Sequence, residues 1–183
     1  NVITGLSDAL MDSTPMVVIT GQVATPFLGF DAFQETDVVS ITQPITKWSY
    51  QVRSADDVAR AVARAFFIAS TGRPGPVVLD FTKDAQVGLT TGGFKYEKCS
   101  FIRSYIPVPS INEEDVTRVA DIINSAERPM ILSGHGVMIS GAEAELATLA
   151  EKAGIPVAAT LLGLSTMPSG HPLYKGMLGM HGN

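Results

Sequence analysis

The sequence predicts an α/β protein made of two partial three-layer αβα units with parallel sheets, and three observations carry that reading. Helix-spaced apolar residues alternate along the chain with short continuous apolar runs, the pattern of parallel strands covered by helices. The alternation lapses over residues 88–111 and then resumes, as a linker between two units would require. The composition, 45% apolar and 17% charged over 183 residues, supplies enough apolar surface for a folded core and argues against disorder.

Leu6, Ala9 and Leu10, with Val2 and Ile3 before them, recur at helical spacing until Ser13, Thr14 and Pro15 break the helix. Residues 16–20 then read as a strand buried on both faces. Residues 22–45 carry Gly, Pro, Phe and Thr with little periodicity, and an irregular stretch of that length in a compact domain is more often functional than idle. A short strand is expected over 47–52. Ser54, with Asp56 and Asp57 behind it, supplies a cap and two acids for a helix start. Val58, Ala61, Val62, Ala65, Phe66 and Ala69 make its core-facing stripe. The run Thr71-Gly72-Arg73-Pro74-Gly75-Pro76 stops this helix and turns the chain into a strand over 77–81.

The linker carries Gly88, Gly92, Gly93, Pro107 and Pro109, while Phe94, Tyr96, Phe101 and Tyr105 suggest that it packs along a surface. Asn112 with Asp115 three residues on marks the next helix start. Val116, Val119, Ala120 and Ile123 are expected to be its buried stripe. A strand over 129–132, a helix over 140–153 and a strand over 155–160 complete the second unit.

Charge and cysteine content exclude whole classes of function. The net charge is -5 and the 13 basic residues are scattered, whereas a protein that tracks a nucleic-acid backbone needs them clustered. No apolar run approaches the roughly 20 residues that span a bilayer, so no membrane partner is expected. A lone cysteine, Cys99, cannot staple the fold and favours a reducing, cytoplasmic compartment. With no initiator Met or signal peptide at one end and a glycine-rich stop at the other, the chain reads as an internal piece of a longer protein.

The catalytic inventory is thin. His135, His171 and His181 show no metal-ligand spacing, and no metal site is expected. There is no nucleophile elbow and no phosphate-binding Gly-Lys-Ser/Thr loop. Four constellations remain, each with a structural alternative. Phe33, Gln34 and Glu35 follow the first strand, where open parallel sheets bind ligands; an aromatic, an amide and a carboxylate there suit a flat heterocycle, or Phe33 fills a core gap. Lys47, flanked by Trp48 and Tyr50, is either a cation for a substrate carboxylate or a lysine lying along an aromatic edge. Gly134 and Gly136 allow close approach of a phosphate at a strand-to-helix turn, or serve the turn alone. Gly176, Gly179 and Gly182 with Met177, Met180 and His181 form an adaptable surface, or fill a core.

The runs from Met11 to Val23, Asp31-Ala32-Phe33-Gln34-Glu35, Pro44-Ile45-Thr46-Lys47, Ala69 to Val77 and Gly176 to Gly182, in this order, resemble acetolactate synthase (acetohydroxyacid synthase) catalytic subunits. That family of thiamine-diphosphate-dependent transferases condenses pyruvate with pyruvate or 2-oxobutyrate, losing carbon dioxide, in branched-chain amino acid biosynthesis. The resemblance implies that residues 1–87 are the latter part of a pyrimidine-binding domain, 88–111 a linker, and 112–183 the beginning of a Rossmann-like central domain associated with FAD. It implies thiamine diphosphate, FAD and Mg2+ as cofactors, with the magnesium ligands outside this chain. Phe33 and Gln34 would stand at the mouth of the thiamine site, with Gln34 bonding the substrate and Lys47 clamping its carboxylate. Gly134, Gly136, Met180 and His181 would approach FAD. Small 2-oxo acids, a homo-oligomer (dimer or tetramer) interfacing near residues 22–34, and a regulatory small subunit are the implied partners. The chain alone is expected to be inactive. Another thiamine-dependent carboligase or decarboxylase, of the glyoxylate carboligase type, and a non-catalytic assembly or nucleotide-binding domain are the rival readings.

Overall fold

The computed structural model describes residues 1–182, and the chain divides into two compact units, Asn1–Ser110 and Ile111–Asn183. The first unit opens with helix α1 (Val2–Met11), which buries Leu6 and Ala9. Strand β1 (Met16–Gln22) follows, then the short helix α2 (Val38–Thr42) and strand β2 (Trp48–Val52). Helix α3 (Val58–Ser70) leads to strand β3 (Pro76–Thr82) and the one-turn helix α4 (Lys83–Val87). The strands form one parallel sheet in the order β1-β3-β2. Val18 and Ser49 both stand opposite Val78 in the ladders.

The centre of that sheet is the best-buried part of the chain. All seven residues of β3 are buried, with Val77, Val78 and Leu79 at 0% exposure. Alanines 61, 65 and 69 of α3 let that helix lie close on the sheet, where they join Val52, Ile68, Val77, Leu79 and Phe81 in one cluster. The Ser54 hydroxyl accepts from the amide of Asp56, as the cap reading requires.

Two expectations for this unit fail. Strand β1 is not buried on both faces: Met16 is 36% and Ile19 65% exposed, because β1 is an edge with β3 on one side only. Phe66 of the predicted stripe is 58% exposed, on the side of α3 turned from the sheet. In the segment after α4, Phe94, Tyr96 and Phe101 are exposed as well. Of its aromatics Tyr105 alone makes a ring contact, edge-on to Phe67 at 5.8 Å.

The second unit contains helix α5 (Glu113–Ser125), strand β4 (Ile131–Ser133), helix α6 (His135–Ser140), helix α7 (Glu143–Ala153), strand β5 (Val157–Ala159) and strand β6 (Tyr174–Met177). Its sheet is also parallel, in the order β4-β5-β6. The helix expected over 140–153 begins only at Glu143; Ser140 ends the preceding helix α6, which Gly141 stops at φ +68° as its left-handed cap. Asn112 caps α5 as predicted, accepting from the amide of Glu114 at 3.1 Å. The buried stripe does not follow: Val116 and Val119 are each 52% exposed and no residue of α5 is buried. Among the described residues, no helix is long and apolar enough to cross a membrane.

Candidate functional site

In a parallel sheet every strand points the same way, so the loops after the strands collect on one edge, where such sheets bind ligands. In the first unit that edge carries the loop after β1, Arg53 and Ser54 after β2, and Lys83 and Asp84 after β3. The loop, residues 23–37, is held by hydrogen bonds at its start, middle and end. The Thr25 amide donates to Asp84 at 2.9 Å. The Glu35 carboxylate accepts from the amides of Gly29 and, at 3.0 Å, Ala32, closing a tight turn on itself. The Gln22 side-chain amide donates to the carbonyl of Thr36 at 2.6 Å.

That turn is bent through the left-handed region three times, at Gly29 (φ +84°), Asp31 (φ +54°) and Gln34 (φ +64°). For a glutamine the conformation is strained, and strain held in a ligand-edge loop is a mark of function. It presents Phe33, 89% exposed, together with the exposed Gln34. Phe33 therefore does not fill a core gap. Beneath the loop lies an open cleft of about 770 Å³, lined among others by Gln22, Glu35, Tyr50, Gln51 and Asp57.

The backbone amides of Gly29 and Ala32 lower the pKa of Glu35. The Thr25 hydroxyl and amide, with the Thr82 hydroxyl, hold Asp84 down at about 2. Across the cleft the Tyr50 hydroxyl donates to Asp57 at 2.6 Å, and that bond raises the tyrosine pKa. Asp57 also pairs with Arg60 at 2.6 Å.

Lys47 stands elsewhere. It precedes β2 and its amide bonds the carbonyl of Pro76, the first residue of β3, so it lies at the opposite edge of the sheet from Phe33 and Gln34. Its ammonium donates to the carbonyls of Ile68 and, at 2.7 Å, Thr71, and to the Tyr105 hydroxyl at 3.1 Å. These bonds satisfy carbonyls at the end of α3, which the helix itself leaves unpaired. Within this unit Lys47 and Gln34 thus stand at opposite edges of one sheet. Sequence reasoning passed over Lys83, an exposed cation on the ligand edge at the start of α4. Its signal was its place, just past the end of the most apolar strand.

In the second unit Gly134 caps α6 directly after β4, and 178–182 directly follow β6, so Gly134, Gly136, Met180 and His181 share the ligand edge of that sheet. A Cβ at Gly136 would meet nothing within 4 Å, and one at Gly134 would make only ordinary contact with Thr160. Internal packing therefore does not require these two glycines, and the open space fits an approaching ligand. Met180 is 94% exposed beside an exposed His181. Packing does require Gly163, where a Cβ would lie 2.5 Å from the carbonyl of Ser133, and Gly182, where it would meet the carbonyl of Met177.

Residues 116–183 match the family described as thiamine pyrophosphate enzyme, central domain. A crystal structure of a protein assigned as a thiamin diphosphate-dependent enzyme from Mycobacterium smegmatis superimposes with a TM-score of 0.81 at 30% identity, covering 98% of this chain and 34% of that one. Residues 116–183 thus match thiamine pyrophosphate enzymes, and nearly the whole chain shares the fold of that structure.

Within the class its relatives are acetolactate synthases. It is 43% identical to the acetolactate synthase large subunit of Buchnera aphidicola subsp. Schizaphis graminum, over 100% of this chain and 32% of that protein. It is also 43% identical to the isozyme 1 large subunit of Escherichia coli K12 and 44% identical to chloroplastic acetolactate synthase 1 of Zea mays. Those alignments cover all of this chain and 31% and 28% of the relatives. The chain thus spans about a third of the length of the relatives it matches.

Proposed function

We propose that this chain forms part of an acetolactate synthase, the enzyme that joins two 2-oxo acids with loss of carbon dioxide, and that its two ligand edges serve thiamine diphosphate and FAD. The observation that carries the reading is the strained loop that holds Phe33 and Gln34 outward at the ligand edge of the first sheet. In this reading 1–87 belong to the pyrimidine-binding domain and 112–183 begin the central domain, with 88–111 between them.

Thiamine diphosphate, when bound, supplies the electron sink that lets a 2-oxo acid lose carbon dioxide; the protein supplies position and electrostatics. Phe33 offers its face to a flat ring, and Gln34 offers an amide donor and acceptor to a substrate oxygen. For a substrate carboxylate, Lys83 offers an exposed cation on the ligand edge and Lys47 one at the opposite edge of the sheet. Gly134 and Gly136 leave room for FAD, and Met180 with His181 close over it. Mg2+ is assigned to ligands outside this chain. A homo-oligomer, a regulatory small subunit and a cytoplasmic location belong to the same proposal.

Flavin fluorescence titration of the purified chain tests the reading first. Saturable quenching at micromolar FAD, lost in Gly136→Val, is the expected result. No binding in the chain and in the whole protein that carries it would overturn the FAD assignment. Turnover of glyoxylate but not pyruvate by the whole protein would overturn the synthase reading itself.

A further inference from the structure

Asp80 lies within the central strand with no exposed surface, and none of the ion pairs among the described residues includes it. Its carboxyl oxygens accept instead from three neutral side chains. The Thr20 hydroxyl donates to one oxygen at 2.7 Å, and the amides of Gln22 and Gln51 donate to the other at 3.2 and 3.1 Å. Thr20 and Gln51 are its ladder partners on either side, so the sheet itself fixes those two contacts. Gln22, two residues further along β1, has to reach back. The side-chain oxygen Oε1 of Gln51 accepts from Arg53 at 2.7 Å, which links the buried carboxyl to a cation through the Gln51 amide.

Gln22 is where this network leaves the sheet. It is 8% exposed, and each polar atom of its side chain is used. The oxygen accepts from the Val23 amide at 2.9 Å, and the nitrogen donates both to Asp80 and, at 2.6 Å, to the carbonyl of Thr36. Thr36 lies two residues beyond Gln34. A buried polar group is costly unless satisfied, so the amide has one orientation that satisfies all three partners, and Asp80 selects it.

We infer that Gln22, oriented by Asp80, is a positioning residue that locks the loop bearing Phe33 and Gln34 to the end of the sheet. The inference rests on the proposed role of that loop, but its test reads the loop without substrate or cofactor. Its failure therefore leaves the synthase reading standing, and failure of that reading leaves the lock intact.

Amide hydrogen exchange on the full chain is the test, comparing residues 29–37 with β3. Gln22→Met keeps the length and removes both polar atoms; exchange of the loop amides is expected to rise at least tenfold while that of β3 changes less than threefold. Gln22→Glu places a second carboxyl against Asp80. Two buried carboxyls in contact resist ionising together; with both protonated, Asp80 donates to the introduced carboxyl and that carboxyl donates to the Thr36 carbonyl, a donor that ionisation removes. Loop protection in this variant is therefore expected near pH 5 and lost near pH 8, with the unsubstituted chain showing no such reversal.

Unchanged loop exchange in Gln22→Met overturns the inference. If that variant loosens loop and β3 alike, Gln22→Glu decides. Loop protection that returns at low pH while β3 stays constant supports the lock, and loop exchange that follows β3 at both pH values overturns it.

Discussion

Gln34 is the residue at which stability and function pull apart. A non-glycine side chain at φ +64° costs about 1 kcal/mol against the extended or right-handed alternatives. Gln34→Gly removes that strain, offset in part by the freedom glycine regains in the unfolded chain. The expected outcome in urea denaturation is a chain as stable as the original or more stable by about 0.5 kcal/mol. If the proposed function holds, the same change in the whole protein is expected to lower acetolactate formation at least tenfold, because the amide proposed to face the substrate is lost. A loss of stability without loss of turnover would make Gln34 a mere turn residue.

Acid acts on the same loop through Glu35 and Asp84. Both carboxyls have folded pKa values below their ordinary ones, Glu35 from amide bonds and Asp84 down to about 2 from Thr25. A group whose folded pKa is depressed contributes stability above its unfolded pKa and loses it as pH falls through the folded one. The loop is thus expected to be fully tied above about pH 5 and to loosen progressively towards pH 2. Amide exchange at residues 25–35, followed from pH 6 downward after correction for intrinsic rates, should show the loosening. A loop equally protected at pH 6 and pH 2.5 would mean that these carboxylates do not hold it.

At the scale of the element, helix α3 and strand β3 answer to different parts of the sequence. Strand β3 is stabilised by burial: Leu79→Ala is expected to cost about 2–5 kcal/mol, since the side chain is at 0% exposure in a packed sheet. The end of α3 is stabilised by hydrogen bonds from outside the helix. Lys47 bonds its carbonyls, and the Tyr105 hydroxyl donates to Thr71 at 2.9 Å. Lys47→Met keeps the stem and removes the donors, at an expected cost of about 1.5–3 kcal/mol by chemical denaturation. Gly72, at φ +62° with Pro107 where a Cβ would be, belongs to the same corner.

These elements also show what the sequence could tell. The apolar run of β3 and the alanine stripe of α3 were legible because burial at the centre of a sheet is written in consecutive residues. The exposure of β1 and α5 was not, because it depends on what lies beside them and not on their own pattern. The edge on which Lys47 stands was not legible for a related reason. Local sequence gives its aromatic neighbours, but the direction of the strand decides which edge of the sheet it occupies.

Over the whole molecule, what remains open is apolar surface. Phe27, Phe30 and Phe33 fall within one loop of the first unit and are 58%, 78% and 89% exposed. Exposed aromatics grouped so closely mark a surface that another protein surface covers. The strand edge of β1, with Met16 and Ile19 open, adds a second such surface. Purified alone, the chain is therefore expected to self-associate, and the question is through which surface. The phenylalanine loop is rigidly tied and presents side chains that lose little entropy on docking, whereas a β1 edge must pair backbone in register. The double substitution Phe30→Ser and Phe33→Ser leaves every hydrogen bond of the loop in place. Each ring withdrawn from an interface weakens it by roughly 1–2 kcal/mol, so the midpoint of association in sedimentation velocity should move to at least tenfold higher concentration. Ile19→Lys, which blocks the strand edge instead, should move it less. If Ile19→Lys abolishes association and the phenylalanine pair leaves it unchanged, the copies meet through the sheet and the loop is left facing its ligand alone.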